Sequence, residues 1–173
     1  RFTTTGDFRT SIGNFSGRVN YDLVKGVPSI VSRLKVQNLD LGILAEDKEL
    51  LQKISLEGNV NVKGSSLQNA LIDLNASISQ LGINQYNFTN ITTDATYGLN
   101  LFRGNLAVDD PNLKARIKGS LNLKESVDSV RLMVELDTLF LDRINLMDKP
   151  AFVSGKLDID TKGITLDELE GIA

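Results

Sequence analysis

The chain has 173 residues but no cysteine, no histidine and no tryptophan, and only three prolines. Without Cys there is neither a disulfide framework nor a thiol nucleophile. Without His, the commonest general base and the commonest zinc ligand are missing as well. The absence of Cys fits a cytosolic and a bacterial envelope compartment equally. There is no run of about 18 apolar residues, so no helical membrane span is written here, and no signal-peptide pattern is visible. Charge of one sign is also lacking: 19 Lys and Arg stand against 22 Asp and Glu, net −3. With no basic cluster, a nucleic-acid partner is not expected.

What the chain has is strict alternation. In "NLKARIKGSLNLK" (112–124), Leu113, Ala115, Ile117, Gly119, Leu121 and Leu123 alternate with Asn, Lys, Arg and Ser. A β-strand with one dry and one wet face has this period of two. "ISLEGNVNVK" (54–63) sets Ile54, Leu56, Gly58, Val60 and Val62 on one face. "LIDLNASISQ" (71–80) sets Ile72, Leu74, Ala76 and Ile78, and "FSGRVNYDL" (15–23) sets Phe15, Gly17, Val19, Tyr21 and Leu23. Further strands are expected near 2–12, 29–37, 91–97, 98–108, 128–138 and 151–160, roughly ten in all. "VKGVP", "VKGSS", "VDDPN" and "DTKG" supply turn signals between them. In "YGLNLFRGNLAV" the apolar phase slips at Leu101 and Phe102, which suggests a bulge or a shared strand end.

Helical signal is confined to "DLGILAEDKELLQK" (40–53), where Leu41, Leu44, Leu50 and Leu51 could form one or two turns capped by Asp47, the alternative being a loop that crosses over the sheet. The fold class is therefore all-β, mostly antiparallel, with long strands. Dry faces of this kind can meet each other in a sandwich or closed barrel. The alternative is an open sheet whose apolar face needs a ligand or partner, because soluble monomers tolerate only a few hundred Å² of exposed apolar patch. The dry face is almost wholly aliphatic, and Gly58, Ala76, Ala115 and Gly119 recur on it, which suggests room rather than filling.

Catalytic signatures are not found. Asp158 and Asp160 share the wet face of one strand, and Asp109-Asp110-Pro111 reads as a capped turn. Glu168 and Glu170 complete the carboxylate pairs. No glycine-rich phosphate loop occurs. "DIDTKG" (158–163) has two spaced aspartates and Gly163, yet the twelfth position of a Ca²⁺ loop falls on Leu169 instead of Glu. Sequons at Asn14, Asn75, Asn87 and Asn90 carry meaning only in a eukaryotic secretory setting. The chain is read as a non-enzyme that needs no cofactor and no metal.

Two segments carry a family resemblance. "NLDLGILAEDKELLQKISLEGNVNVKG" (38–64) resembles the recurrent unit of TamB and AsmA-like envelope proteins: a strand ending in Leu-x-Leu-Gly, a short Leu-rich crossover, then a new one-sided strand. "INQYNFTNITTDATYGLNLFRGNLAVDDPNLKARIKGSLNL" (83–123) resembles TamB of Bacteroidota more specifically. The resemblance implies a sheet curled into a taco-like groove, apolar inside and polar outside. It implies that 1–173 is one segment cut from a longer repeating protein, anchored in the inner membrane and crossing the periplasm toward the outer membrane. It further implies phospholipid acyl chains as cargo, an outer-membrane barrel of the BamA/TamA type as partner, and a role in outer-membrane biogenesis. Residues carried over as groove lining are Ile54, Leu56, Val60, Val62, Ile72, Leu74, Ala76, Ile78, Leu113, Ala115, Ile117, Leu121, Leu123, Leu132, Val134 and Leu136. Scaffolding of outer-membrane strands by β-augmentation, without lipid conduction, is the alternative. Free strand edges near 2–12 and 151–170 are expected to promote self-association.

Overall fold

The computed structural model describes residues 1–65, 69–122 and 129–162. Its strands are β1 (Phe2–Thr10), β2 (Gly13–Val24), β3 (Val27–Asp40), β4 (Leu51–Lys63), β5 (Leu71–Ile83), β6 (Tyr86–Phe88), β7 (Ile91–Gly98), β8 (Leu101–Asp109), β9 (Leu113–Asn122), β10 (Ser129–Phe140) and β11 (Phe152–Lys162). They form one antiparallel sheet in the order β1-β2-β3-β4-β5-β7-β8-β9-β10-β11, with β6 pairing on the end of β5. Strand order follows chain order, since antiparallel neighbours in sequence can be joined by short links. The sheet does not close: among the described residues, β1 and β11 each pair on one side only.

The only helix among the described residues is one turn, α1 (Leu41–Leu44). It is capped by Asp40, whose Oδ1 accepts from Ile43 N at 3.0 Å. Asp47 caps the next turn instead of a helix, taking Leu50 N at 2.9 Å, and Leu51 already belongs to β4. "DTKG" is not a turn at its start: Asp160, Thr161 and Lys162 continue β11, and Gly163 lies outside the described residues. The phase slip at Leu101 is neither a bulge nor a shared strand end. Leu99 (φ 53°) and Asn100 (φ 61°) form a two-residue turn of the left-handed kind that matches strand twist, and β8 begins after it. Lys25-Gly26 and Asn84-Gln85 turn in the same way.

The sheet curls toward its apolar side. A Cβ added to Gly58 would sit 2.8 Å from the Cβ of Ala76, and one on Gly104 would sit 3.1 Å from that of Ala95. Partners across ordinary antiparallel strands keep Cβ atoms about 4.5–5.5 Å apart. Gly58 is therefore not open space, as its small size suggested, and Gly104 sits in the same way. They are where neighbouring strands close on each other, since any side chain there would meet the facing backbone. The burial pattern agrees: Ala76 is 5% exposed, while Ser77, one step along on the other face, is exposed.

The two ends of the sheet differ. One end carries the tight turns at 25–26 and 99–100. The other gathers α1, the β5–β6 turn, the 109–113 turn and the segment 141–151. There Asn84 N donates to Leu50 O at 2.7 Å, and Asn84 and Asn145 exchange side-chain bonds. Ile144 is among the few buried apolar residues.

Candidate functional site

Register builds the apolar face into four rows that run across the strands. One row is Val36, Leu56, Ile78, Ile91, Val108, Ala115 and Leu136; the next is Leu34, Gly58, Ala76, Thr93, Leu106, Ile117 and Val134. A third holds Ser32, Val60, Leu74, Ala95, Gly104, Gly119 and Leu132, and a fourth Ile30, Val62, Ile72, Tyr97, Phe102, Leu121 and Val130. Rows arise because hairpins fix register and register fixes face.

Thirteen of the sixteen lining residues expected from sequence stand in these rows. Ile54 (beside Leu39 and Leu81) and Leu113 (beside Leu139) extend the face past register shifts at one end. Leu123 lies outside the described residues. Ala76 and Ala115 are buried, and the other thirteen described positions are half-buried. No second layer of structure lies over them among the described residues; their partial burial comes from each other and from the curl. Rows also recruit Val36, Ile91, Leu106 and Val108, which the same alternation could have found once the turn at 99–100 was placed.

Large hollows lie elsewhere. Three adjoining hollows of about 1090, 570 and 360 Å³ run between rows of outward-facing side chains. Around β10 they are bordered by Arg131, Met133, Glu135 and Asp137, and not by Leu132, Val134 or Leu136 between them, which places them on the polar face. Of the expected lining residues only Leu56, Ala76, Ile78, Ala115 and Ile117 border them.

The polar face carries cross-strand ion pairs: Arg33–Glu57 at 2.8 Å, Lys114–Asp109 at 2.9 Å, Lys156–Glu135 at 2.7 Å and Arg131–Asp160 at 3.1 Å. The hydrogen bond from Arg33 holds Glu57 below the usual carboxylate range, and that from Lys156 does the same for Glu135. These groups are solvated, so each pair contributes little to stability. Asp158 and Asp160 are exposed on β11. Glu168, Glu170 and Leu169 lie outside the described residues.

Sequence reading missed one polar cluster. Asp110 does cap its turn, accepting from Asn112 N at 2.9 Å, but it is also 1% exposed. Its carboxylate accepts from Tyr86 Oη at 2.6 Å, Thr89 N at 2.9 Å and Thr89 Oγ1 at 3.0 Å. Asn112 Nδ2 donates to Tyr86 Oη at 3.0 Å. Burial alone would push Asp110 up, but the bonds from Tyr86, Asn112 and Thr89 hold it below its ordinary value. Burial, then the bond to Asp110, pushes Tyr86 up. Each Asp110 carboxylate oxygen accepts two hydrogen bonds, so the cluster pins β6 and the 109–113 turn.

Among the described residues no three of His, Cys, Asp and Glu are grouped to hold a metal ion, and no helix is long and apolar enough to cross a membrane. Comparison with protein-family models, curated proteins and solved structures finds no match for this chain.

Proposed function

We propose that this sheet is a groove segment of a TamB-like envelope protein that shields phospholipid acyl chains between inner and outer membrane. The observation that supports it is the uncovered apolar face: four largely apolar rows, mostly half-buried, with no second layer over them among the described residues. Removing apolar surface from water is worth roughly 25 cal/mol per Å², so such a face favours an apolar occupant. Acyl chains need no directional partner, which fits a lining of Leu, Ile, Val and Ala. In this proposal the parent protein sits in the periplasm, anchored in the inner membrane, and meets a BamA/TamA-type barrel at the outer membrane.

Native mass spectrometry of the chain after incubation with phospholipid vesicles tests this. Bound phospholipid, lost on introducing Asp at Ile117, supports the reading; an empty protein at every lipid concentration refutes it.

A further inference from the structure

The end of the sheet that carries the tight turns is apolar on both faces. One row of paired residues runs along it: Ser29, Lys63, Leu71, Gly98 and Leu101. Elsewhere this side of the sheet is mostly polar, yet here Leu71 stands between Lys63 and Gly98 and is 52% exposed. On the other side of the same end Phe102 is exposed. The turns project past the row. Leu23, Val24 and Val27 flank Lys25-Gly26 and are all exposed, and Leu99 opens the turn between β7 and β8 at 67% exposure. Both turns are two residues long with positive φ, so they present these side chains from a preformed tip. The two tips lie three strand spacings apart, about 14 Å.

Scattered exposed leucines need no explanation, but these share one level of the ladder. Further strands at either edge of the sheet would lengthen that level without covering the strand ends. The hollows described above are not lined by Leu23, Val24, Leu71 or Leu99, so the tips are points of insertion and form no cleft for a partner's side chain. Charge separates the two ends. Lys25, Lys63 and Arg103 lie among the apolar tips, against the carboxylates Asp22 and Asp73. The opposite end also exposes Leu44, Leu50 and Leu146, but its segments 41–50 and 141–151 carry five carboxylates and three cations.

We infer that the turn end is a docking surface for a membrane with anionic headgroups. Leu23, Val24, Leu71 and Leu99 enter the interface, and Lys25, Lys63 and Arg103 lie at headgroup level, where cations on an apolar patch add electrostatic attraction to burial. The inference goes beyond the acyl-chain reading, which concerns the apolar rows and not the strand ends, so either can fail alone.

The chain has no Trp, so one introduced Trp reports one place. Leu23→Trp marks the turn end, and Leu146→Trp, at a position of similar exposure, marks the opposite end. Each is mixed with vesicles of phosphatidylcholine and phosphatidylglycerol in equal parts, made with brominated acyl chains that quench Trp on contact. Leu23→Trp should shift to the blue and be quenched, whereas Leu146→Trp should do neither. Adding Lys25→Glu and Lys63→Glu to the Leu23→Trp chain should weaken vesicle binding at least about tenfold, because each cation beside an anionic surface contributes to the attraction. Quenching at both ends, quenching at neither, or quenching undiminished by the two charge reversals would each overturn the inference. A blue shift that needs no vesicles and grows with protein concentration would also overturn it, pointing to contact between copies. Phospholipid retained in native mass spectrometry beside an unquenched Leu23→Trp would overturn the docking surface and leave the groove reading standing.

Discussion

Asn84 and Asn145 are 61 residues apart and on opposite sides of four strand pairings, yet they exchange two hydrogen bonds. Asn84 Nδ2 donates to Asn145 O at 2.6 Å, and Asn145 Nδ2 donates to Asn84 O at 3.1 Å. A sheet that is not closed by its backbone is therefore tied at one end by side chains, and the tie holds the segment after β10 against the turn after β5. Replacing Asn145 with Ala removes one bond of the pair. Global stability should fall by about 0.5–1.5 kcal/mol, while amide exchange in 141–147 accelerates. Unchanged exchange there would mean that the tie does not hold the end shut.

Asp110 should be costly to replace. Asp110→Ala leaves Tyr86 Oη, the Thr89 donors and Asn112 N without their common acceptor, a loss of about 1–3 kcal/mol by urea unfolding. The pH dependence has a definite sign. The folded-state pKa of Asp110 lies below its unfolded value, so its stabilisation is present above that unfolded value, about 3.9, and is lost as pH falls through the lower folded value. Tyr86 works the opposite way: its raised pKa gives stabilisation present below about 10 that is lost as pH rises through the folded value. The gap between wild type and Asp110→Ala should narrow on acidification below pH 4. A constant gap would show that the carboxylate's charge plays no part.

Gly58 tests the curl. A Cβ there would lie 2.5 Å from the carbonyl oxygen of Asn75 as well as 2.8 Å from the Ala76 Cβ. Gly58→Ala should lower stability by roughly 1–3 kcal/mol, even though alanine favours neither turn nor disorder. A neutral result in thermal unfolding would mean that β4 and β5 do not close on each other.

Leu99 tests the turn. A leucine at φ 53° pays a left-handed penalty that glycine does not. Leu99→Gly should raise stability by roughly 1 kcal/mol after glycine's own entropy cost, read as a shift in urea midpoint at constant slope.

Most of the sheet was legible in the sequence because period two survives in nearly every strand: the alternation at 54–63, 71–80 and 112–124 gave both the strands and the dry face. β6 escaped because three residues are too few to show a period. Leu99-Asn100 escaped because leucine is a poor turn signal, and the break looked like a slip of phase. The Asp110 cluster escaped for a different reason. Its partners Tyr86 and Thr89 lie 24 and 21 residues earlier, brought in by β6 pairing on β5, and no local pattern encodes that meeting.

The central claim is that acyl chains lie against the apolar face, and the most direct measurement uses two adjacent residues. Photo-reactive side chains at Ile117 and at Lys118 would be irradiated with phospholipid vesicles, and covalent lipid adducts counted by mass. Ile117 stands in the row between Leu106 and Val134, whereas Lys118 lies one step along on the solvated face. Lipid adducts at 117 and none at 118 are predicted; equal labelling at the two positions, or labelling at 118 alone, would contradict the account.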